Sequence, residues 1–288
     1  MCDAARSDAA QETNMTPPEA TAATQAPLVL VTRGEGELAG VVTLTLNRPR
    51  HYNALSEAML DALQQALDDT ARDTTARVVV LGAAGPAFCA GHDLKEMRAE
   101  PSLDYYRTLF NQCTRVMLTM QRMPQPVIAR VHGIATAAGC QLVAMCDLAV
   151  ATSAARFAVS GINVGLFCAT PGVALSRNLS RKQAMEMLLT GEFIDAQTAR
   201  ERGLINRVVA TERLDAEVAA LCRSILAKPA AAVAAGKGLF YRQVETGIEA
   251  AYQMAGQTMA CNMMEDCALE GVQAFIEKRA PDWAKPSD

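Results

Sequence analysis

The chain has 288 residues, half of them apolar, with 27 Lys and Arg against 31 Asp and Glu and a formal net charge of −4. That length suits one large core at the upper end of a single domain, and a mildly acidic chain without a basic stripe is not built to bind nucleic acid. No apolar run reaches the roughly 18 residues of a membrane helix; Gly139–Ala151 is broken by Gln141 and Asp147.

Residues 1–27 are rich in Ala, Thr, Pro, Gln and acids, with Arg6 the only base. They read as a disordered tail, neither a secretory signal nor an Arg-rich transit peptide, so the cytoplasm is expected. Leu28–Thr32 and Val41–Leu46 are β-rich and flank Gly34-Glu35-Gly36-Glu37, the pattern of a hairpin. Leu55, Met59, Leu63 and Leu67 then recur every fourth residue, which predicts a helix capped by Asn53 or Ser56. Val78–Leu81, stopped by Gly82, reads as a strand buried on both faces. Residues 102–122 are helical, ended by Pro124 and Pro126, and Val127–Val131 is the next buried strand. Gly133–Gly139 is a small-residue turn, Cys140–Met145 a short helix and Leu148–Val150 a further strand. After about residue 180 the pattern is almost wholly helical. Strands alternating with helical crossovers imply a parallel α/β core.

The nine cysteines are odd in number and contain no CxxC, and there are only three histidines, His51, His92 and His132. Reduced, mostly buried thiols and no metal site are expected.

Four segments resemble one family when taken in order. Leu46-Asn47-Arg48-Pro49 with Asn53-Ala54-Leu55 comes first, then Phe88-Cys89-Ala90-Gly91-His92-Asp93-Leu94. Pro126-Val127-Ile128-Ala129 leads through His132-Gly133 to Ala137-Ala138-Gly139-Cys140-Gln141-Leu142 and Cys146-Asp147. Leu189-Thr190-Gly191, Ala196, Ala199 and Gly203-Leu204 follow, and Ala274–Arg279 closes the pattern. Together they resemble the crotonase (enoyl-CoA hydratase/isomerase) superfamily over roughly residues 28–285. The runs Ala135–Ala144 and Gly161–Cys168 with Thr170–Leu175 resemble its enoyl-CoA hydratase domain-containing protein 3 subgroup. The resemblance implies an α/β fold, the ClpP-like spiral of ββα units. It would have a core over 28–205 and, in the same domain, a C-terminal helical trimerisation region over 206–288.

The resemblance also implies an acyl-CoA thioester as substrate, with coenzyme A part of it and no prosthetic group. Two backbone N–H groups would bind the thioester oxygen as it becomes an enolate, here those of His92 and Ala138. Fixed N–H dipoles in a water-poor site stabilise such charge, and losing one donor costs ~3 kcal/mol. Alanine rather than glycine at 137 and 138 keeps the N–H but is expected to require φ below zero. Two carboxylates would complete enoyl-CoA hydration in fatty-acid metabolism, at positions occupied here by Gln141 and Gly161. Neither can accept a proton, so two-carboxylate hydration cannot run through them. That leaves a hydratase-like lyase with unidentified groups, a decarboxylase of the methylmalonyl-CoA kind, or a non-catalytic acyl-CoA binder. Gly91-His92-Asp93 and Asn163 favour the second, since the family's decarboxylases carry a similar loop.

His92 either acts as acid or base or lends only its N–H while its ring packs on the wall. Cys168 and His132 read as packed groups, and Asp93 and Asp147 as anchors of loop and helix ends. Residues 100–120 should shape the acyl pocket. The resemblance places Arg50, just after the first motif, to meet a phosphate. The resemblance places Tyr52, Ala90, Asp93 and Leu94 along the CoA channel, and Phe275 and Lys278 against a neighbour's nucleotide. The latter implies a homo-trimer or homo-hexamer.

Overall fold

The structure, a computed structural model, describes residues 26–284. The tail expected over 1–27 therefore lies outside the described residues, apart from Ala26 and Pro27. The strands are β1 Val29–Arg33, β2 Val41–Leu46, β3 Val78–Ala83, β4 Ala87–Cys89, β5 Val127–Val131, β6 Ile134–Thr136, β7 Leu148–Thr152, β8 Arg156–Ala158, β9 Ile194–Asp195 and β10 Arg207–Val209. The helices are α1 Glu57–Arg72, α2 Leu94–Ala99, α3 Leu103–Arg122, α4 Ala138–Met145, α5 Ala169–Leu175, α6 Arg181–Thr190, α7 Ala196–Glu201, α8 Leu214–Leu226, α9 Ala230–Gln243, α10 Ile248–Met263 and α11 Asp266–Glu277.

Two sheets result. The larger runs β1-β2-β3-β5-β7-β10 and the smaller β4-β6-β8-β9. Only the β1–β2 hairpin is antiparallel in the larger sheet. From β3 to α5, successive turns of the chain give a strand to the large sheet, a short strand to the small one and then helix, as in β3-β4-α2 and β5-β6-α4. This is the expected spiral of ββα units.

Period-2 geometry explains the apolar strands. In β3, Val79 and Leu81 face a core shared with α1, α3 and α4, while Val78 and Val80 face Leu214, Val218, Leu221 and Cys222 of α8. The strand does not stop at Gly82 but continues to Ala83, because Thr45 and Leu46 pair with those residues. Ser56 rather than Asn53 caps α1, accepting from the Met59 N–H at 3.2 Å. The core expected to end at 205 runs further, since β10 pairs with β7 and α8 covers the sheet. All eight cysteines among the described residues are free thiols, six of them buried.

Candidate active site

Three short parallel strands deliver the site. In the small sheet β4 pairs with β6 and β6 with β8, so all three end on one edge. Past that edge lie the loop to His92, the turn into α4, and the turn Ser160–Val164. The Gly133–Gly139 turn expected from sequence thus contains strand β6, and α4 begins at Ala138 rather than Cys140.

Asn53 fixes the first loop. Its side chain accepts from the Arg48 N–H and donates to the Ala84 and Ala87 carbonyls. The Leu55 N–H donates to the Gly91 carbonyl at 2.8 Å and the Asp93 N–H to the Leu55 carbonyl at 3.1 Å, leaving the His92 N–H between them unbonded among the described residues. The second turn is pinned by the Ala137 N–H donating to the Ala158 carbonyl at 3.0 Å, and by the Thr136 and Ser160 hydroxyls 2.8 Å apart. The Ala138 N–H, first in α4, is also unbonded among the described residues.

The two turns touch. A Cβ built on Gly91 would lie 2.8 Å from the Ala137 methyl and 3.3 Å from the Ala138 nitrogen. A Cβ on Gly139 would lie closer still to the Cys89 carbonyl, so glycine is required at both places. Ala137 corrects the expectation for this turn: it sits at φ +50°, ψ −121°, a region alanine rarely adopts. The turn keeps a glycine-type backbone and carries the strain of a methyl group.

Beside the N–H pair lies a cavity of about 240 Å³ with a mainly apolar wall, including Met97, Phe110, Val164, Leu166 and Phe167. His92, Ala138 and Gly161 line it, as do Ala90 and Leu94, whereas Gln141 does not. No Asp, Glu, Lys, Arg or Tyr is among the lining residues; His92 and Cys168 are the titratable side chains there. Of the expected 100–120 wall only Phe110 appears, and most of the lining comes from residues 160–171. Sequence reading missed this wall because residues 164–168 belong to no strand and to no helix with an apolar period. Its one signal is the apolar run Val164-Gly165-Leu166-Phe167, turned by Gly165 at φ +81°.

Burial pushes the His92 imidazole down to about 4, so it is neutral near pH 7. Its Nε2 is buried without a hydrogen-bond partner, and its ring meets Phe110 edge-on at 5.3 Å. Gln141 is 5% exposed on α4, with Oε1 buried and unpartnered. At Gly161 a Cβ would fall 2.7 Å from both the Cys168 sulfur and the Leu166 carbonyl oxygen. The Cys168 thiol thus fills the space a residue-161 side chain would take. Burial raises its pKa, against a bond from the Gly161 N–H.

Asp93 caps α2 through the Lys95 and Glu96 N–H groups and pairs with Arg48 at 2.7 Å. Burial works to raise its pKa, but these bonds outweigh it and hold the carboxyl below its ordinary value. The Tyr52 carbonyl accepts from the Ala90 N–H at 3.0 Å, so those two groups are spent on each other. Tyr52 itself is exposed at φ +50°, next to exposed Arg50. Phe275 and Lys278 lie apart from this cavity, on and after α11. His132 holds the loop before β4, its Nε2 2.8 Å from the Gly85 carbonyl oxygen.

Two layered sheets that bring a pair of free N–H donors to an apolar cavity define a crotonase. Residues 36–286 match the family described as enoyl-CoA hydratase/isomerase, and the chain belongs to that family. Over 245 residues it is 45% identical to mouse (Mus musculus) enoyl-CoA hydratase domain-containing protein 3, mitochondrial, covering 85% of this chain and 82% of that protein. It is 35% identical to Escherichia coli 2,3-dehydroadipyl-CoA hydratase, covering 84% and 94%. Among solved structures, an enoyl-CoA hydratase of Mycobacterium smegmatis is 68% identical with a TM-score of 0.88, covering 90% of this chain and all of that one. Human enoyl-CoA hydratase domain-containing protein 3 follows at 42% and 0.85, covering 89% and 100%.

Proposed function

We propose that the chain binds an acyl-CoA thioester with its carbonyl oxygen on the His92 and Ala138 N–H groups, and stabilises the enolate there without performing two-carboxylate hydration. The observation that carries this is a pair of unbonded N–H donors beside a cavity with no carboxylate in its wall. Each charged-state hydrogen bond in such a dry site is worth several times its value in water. A cavity of about 240 Å³ suits a thioester and a short acyl group, with the nucleotide outside along Leu94, Tyr52 and Arg50.

Two assays with Ala138→Pro as control test it. Butyryl-CoA should bind the wild type at sub-millimolar concentration by calorimetry and bind the variant less tightly. Hydration of crotonyl-CoA should not exceed the variant's background. Absence of binding at millimolar ligand overturns the reading, and hydration lost in the variant overturns its second half.

A second reading is decarboxylation of a carboxyacyl-CoA. It is favoured by the same carboxylate-free wall, because losing carbon dioxide forms the enolate without a base. Release of carbon dioxide from methylmalonyl-CoA, abolished by Ala138→Pro, supports it, and an unchanged thioester after long incubation removes it. We further propose a homo-trimer or homo-hexamer, and a cytoplasmic location resting on the composition of residues 1–27. The curated relatives above include proteins named mitochondrial, so cell fractionation decides the location.

A further inference from the structure

The side-chain position at 161 is not empty space. The Cys168 sulfur occupies it, 2.7 Å from where a residue-161 Cβ would stand, and lines the acyl cavity. This thiol is free, nearly buried and fixed at the start of α5, where the Gly172 N–H donates to the Cys168 carbonyl at 2.9 Å. Of the two titratable side chains in the wall it is the one with a nucleophilic sulfur. The same cavity holds the unbonded N–H groups of His92 and Ala138, which select for a ligand oxygen that gains negative charge.

We infer that Cys168 is a covalent acceptor for α,β-unsaturated acyl-CoA, adding its thiol across the conjugated double bond. The sulfur forms a bond to the β-carbon. The double-bond pair shifts towards the thioester, whose oxygen becomes an enolate on the two N–H groups. The thiol proton ends on the α-carbon as the enolate collapses. The product is a thioether carrying the whole CoA ester, and β-elimination returns thiol and enoyl-CoA. Nothing is oxidised or reduced, and no co-reactant enters. A saturated acyl-CoA offers no acceptor carbon and binds without reacting. This inference rests on the acyl-CoA reading of the cavity, and makes the protein a reversible trap for enoyl thioesters.

The test is intact-mass analysis of the full chain after incubation with crotonyl-CoA and quenching in acid, with peptide mapping. The expected result is one adduct of the full crotonyl-CoA mass on Cys168. It should be lost in Cys168→Ala and Cys168→Ser, absent with butyryl-CoA, and retained in Cys261→Ala/Cys267→Ala, which removes the more accessible thiols. Melting curves check that the variants are folded. No adduct on Cys168 while butyryl-CoA binds by calorimetry overturns the inference and leaves the acyl-CoA reading standing. An adduct lacking CoA means thiol–thioester exchange and also overturns it, as does equal labelling in Cys168→Ala. No binding of either thioester removes both.

Discussion

Ala137 holds a backbone conformation that glycine adopts freely, and its methyl stands 2.8 Å from where a Cβ on Gly91 would fall. Such strain costs about 1–3 kcal/mol, more than the roughly 0.4–1 kcal/mol of chain entropy that alanine withholds from the unfolded state relative to glycine. Ala137→Gly is therefore expected to stabilise the chain by about 1 kcal/mol, read as a raised urea midpoint at constant slope. Gly161 argues the opposite way. A side chain there meets a backbone carbonyl as well as a thiol, so Gly161→Glu must move the 161–168 segment. Overpacking of this kind costs about 1–3 kcal/mol, and the variant should lose stability without gaining crotonyl-CoA hydration, even alongside Gln141→Glu. His92 links the site to acid stability. Its folded pKa of about 4 lies below the ordinary 6.5, so the unfolded state binds more protons between those values. Stability is then complete above about pH 6.5 and falls as the pH drops towards 4, by about 3 kcal/mol. His92→Gln should flatten that slope in urea titrations at pH 7.5 and 4.5, leaving the smaller contribution of His132, whose pKa burial also lowers.

At the scale of elements, α9 is held to the core by one buried cation. Lys237 donates to the Met120 and Gln125 carbonyls and to Asp147, whose carboxylate also accepts from Tyr241 and the Val127 N–H. Its side chain is 6% exposed. Asp147→Ala leaves that ammonium buried and unpaired, and should cost about 3–5 kcal/mol in denaturant unfolding. Hydrogen exchange should quicken first in α9 if the helix detaches. Asp147 was legible in sequence as an anchor; Lys237, 90 residues away, was not, because nothing local marks which lysine turns inward. The same contrast runs through the fold. α1 declares itself through apolar residues recurring every fourth position, and β3 and β5 through apolar runs bounded by Gly82 and Pro126. The three-residue strands β4, β6 and β8 are too short to show a period, yet they place every part of the site. The N–H pair was legible only through the family's motif order, and the 160–171 wall only as the apolar run Val164–Phe167, with nothing local to show that it faces the cavity.

For the whole molecule, α10 and α11 are the elements left without cover. Tyr252 is 74% and Phe275 84% exposed, with Ile248, Met259, Met264 and Ile276 similarly open. Scattered exposed apolar residues are ordinary, but a run along successive helices marks an interaction face. Sedimentation should show a trimer or a multiple of it, and Tyr252→Asp/Phe275→Asp should shift the chain towards monomer. That face is joined to the cavity beside His92 and Ala138 by a short rod. Helix α4 begins at the donor Ala138, and just past its other end Asp147 grips α9, which packs against α10. Eight residues span only about 12 Å. In the trimer proposed above, a ligand held at Ala138 and a neighbour packed on α10 would act at opposite ends of that helix, and any coupling between them would be reciprocal. Such coupling would make acyl-CoA affinity change with protein concentration, which calorimetry at several dilutions reads.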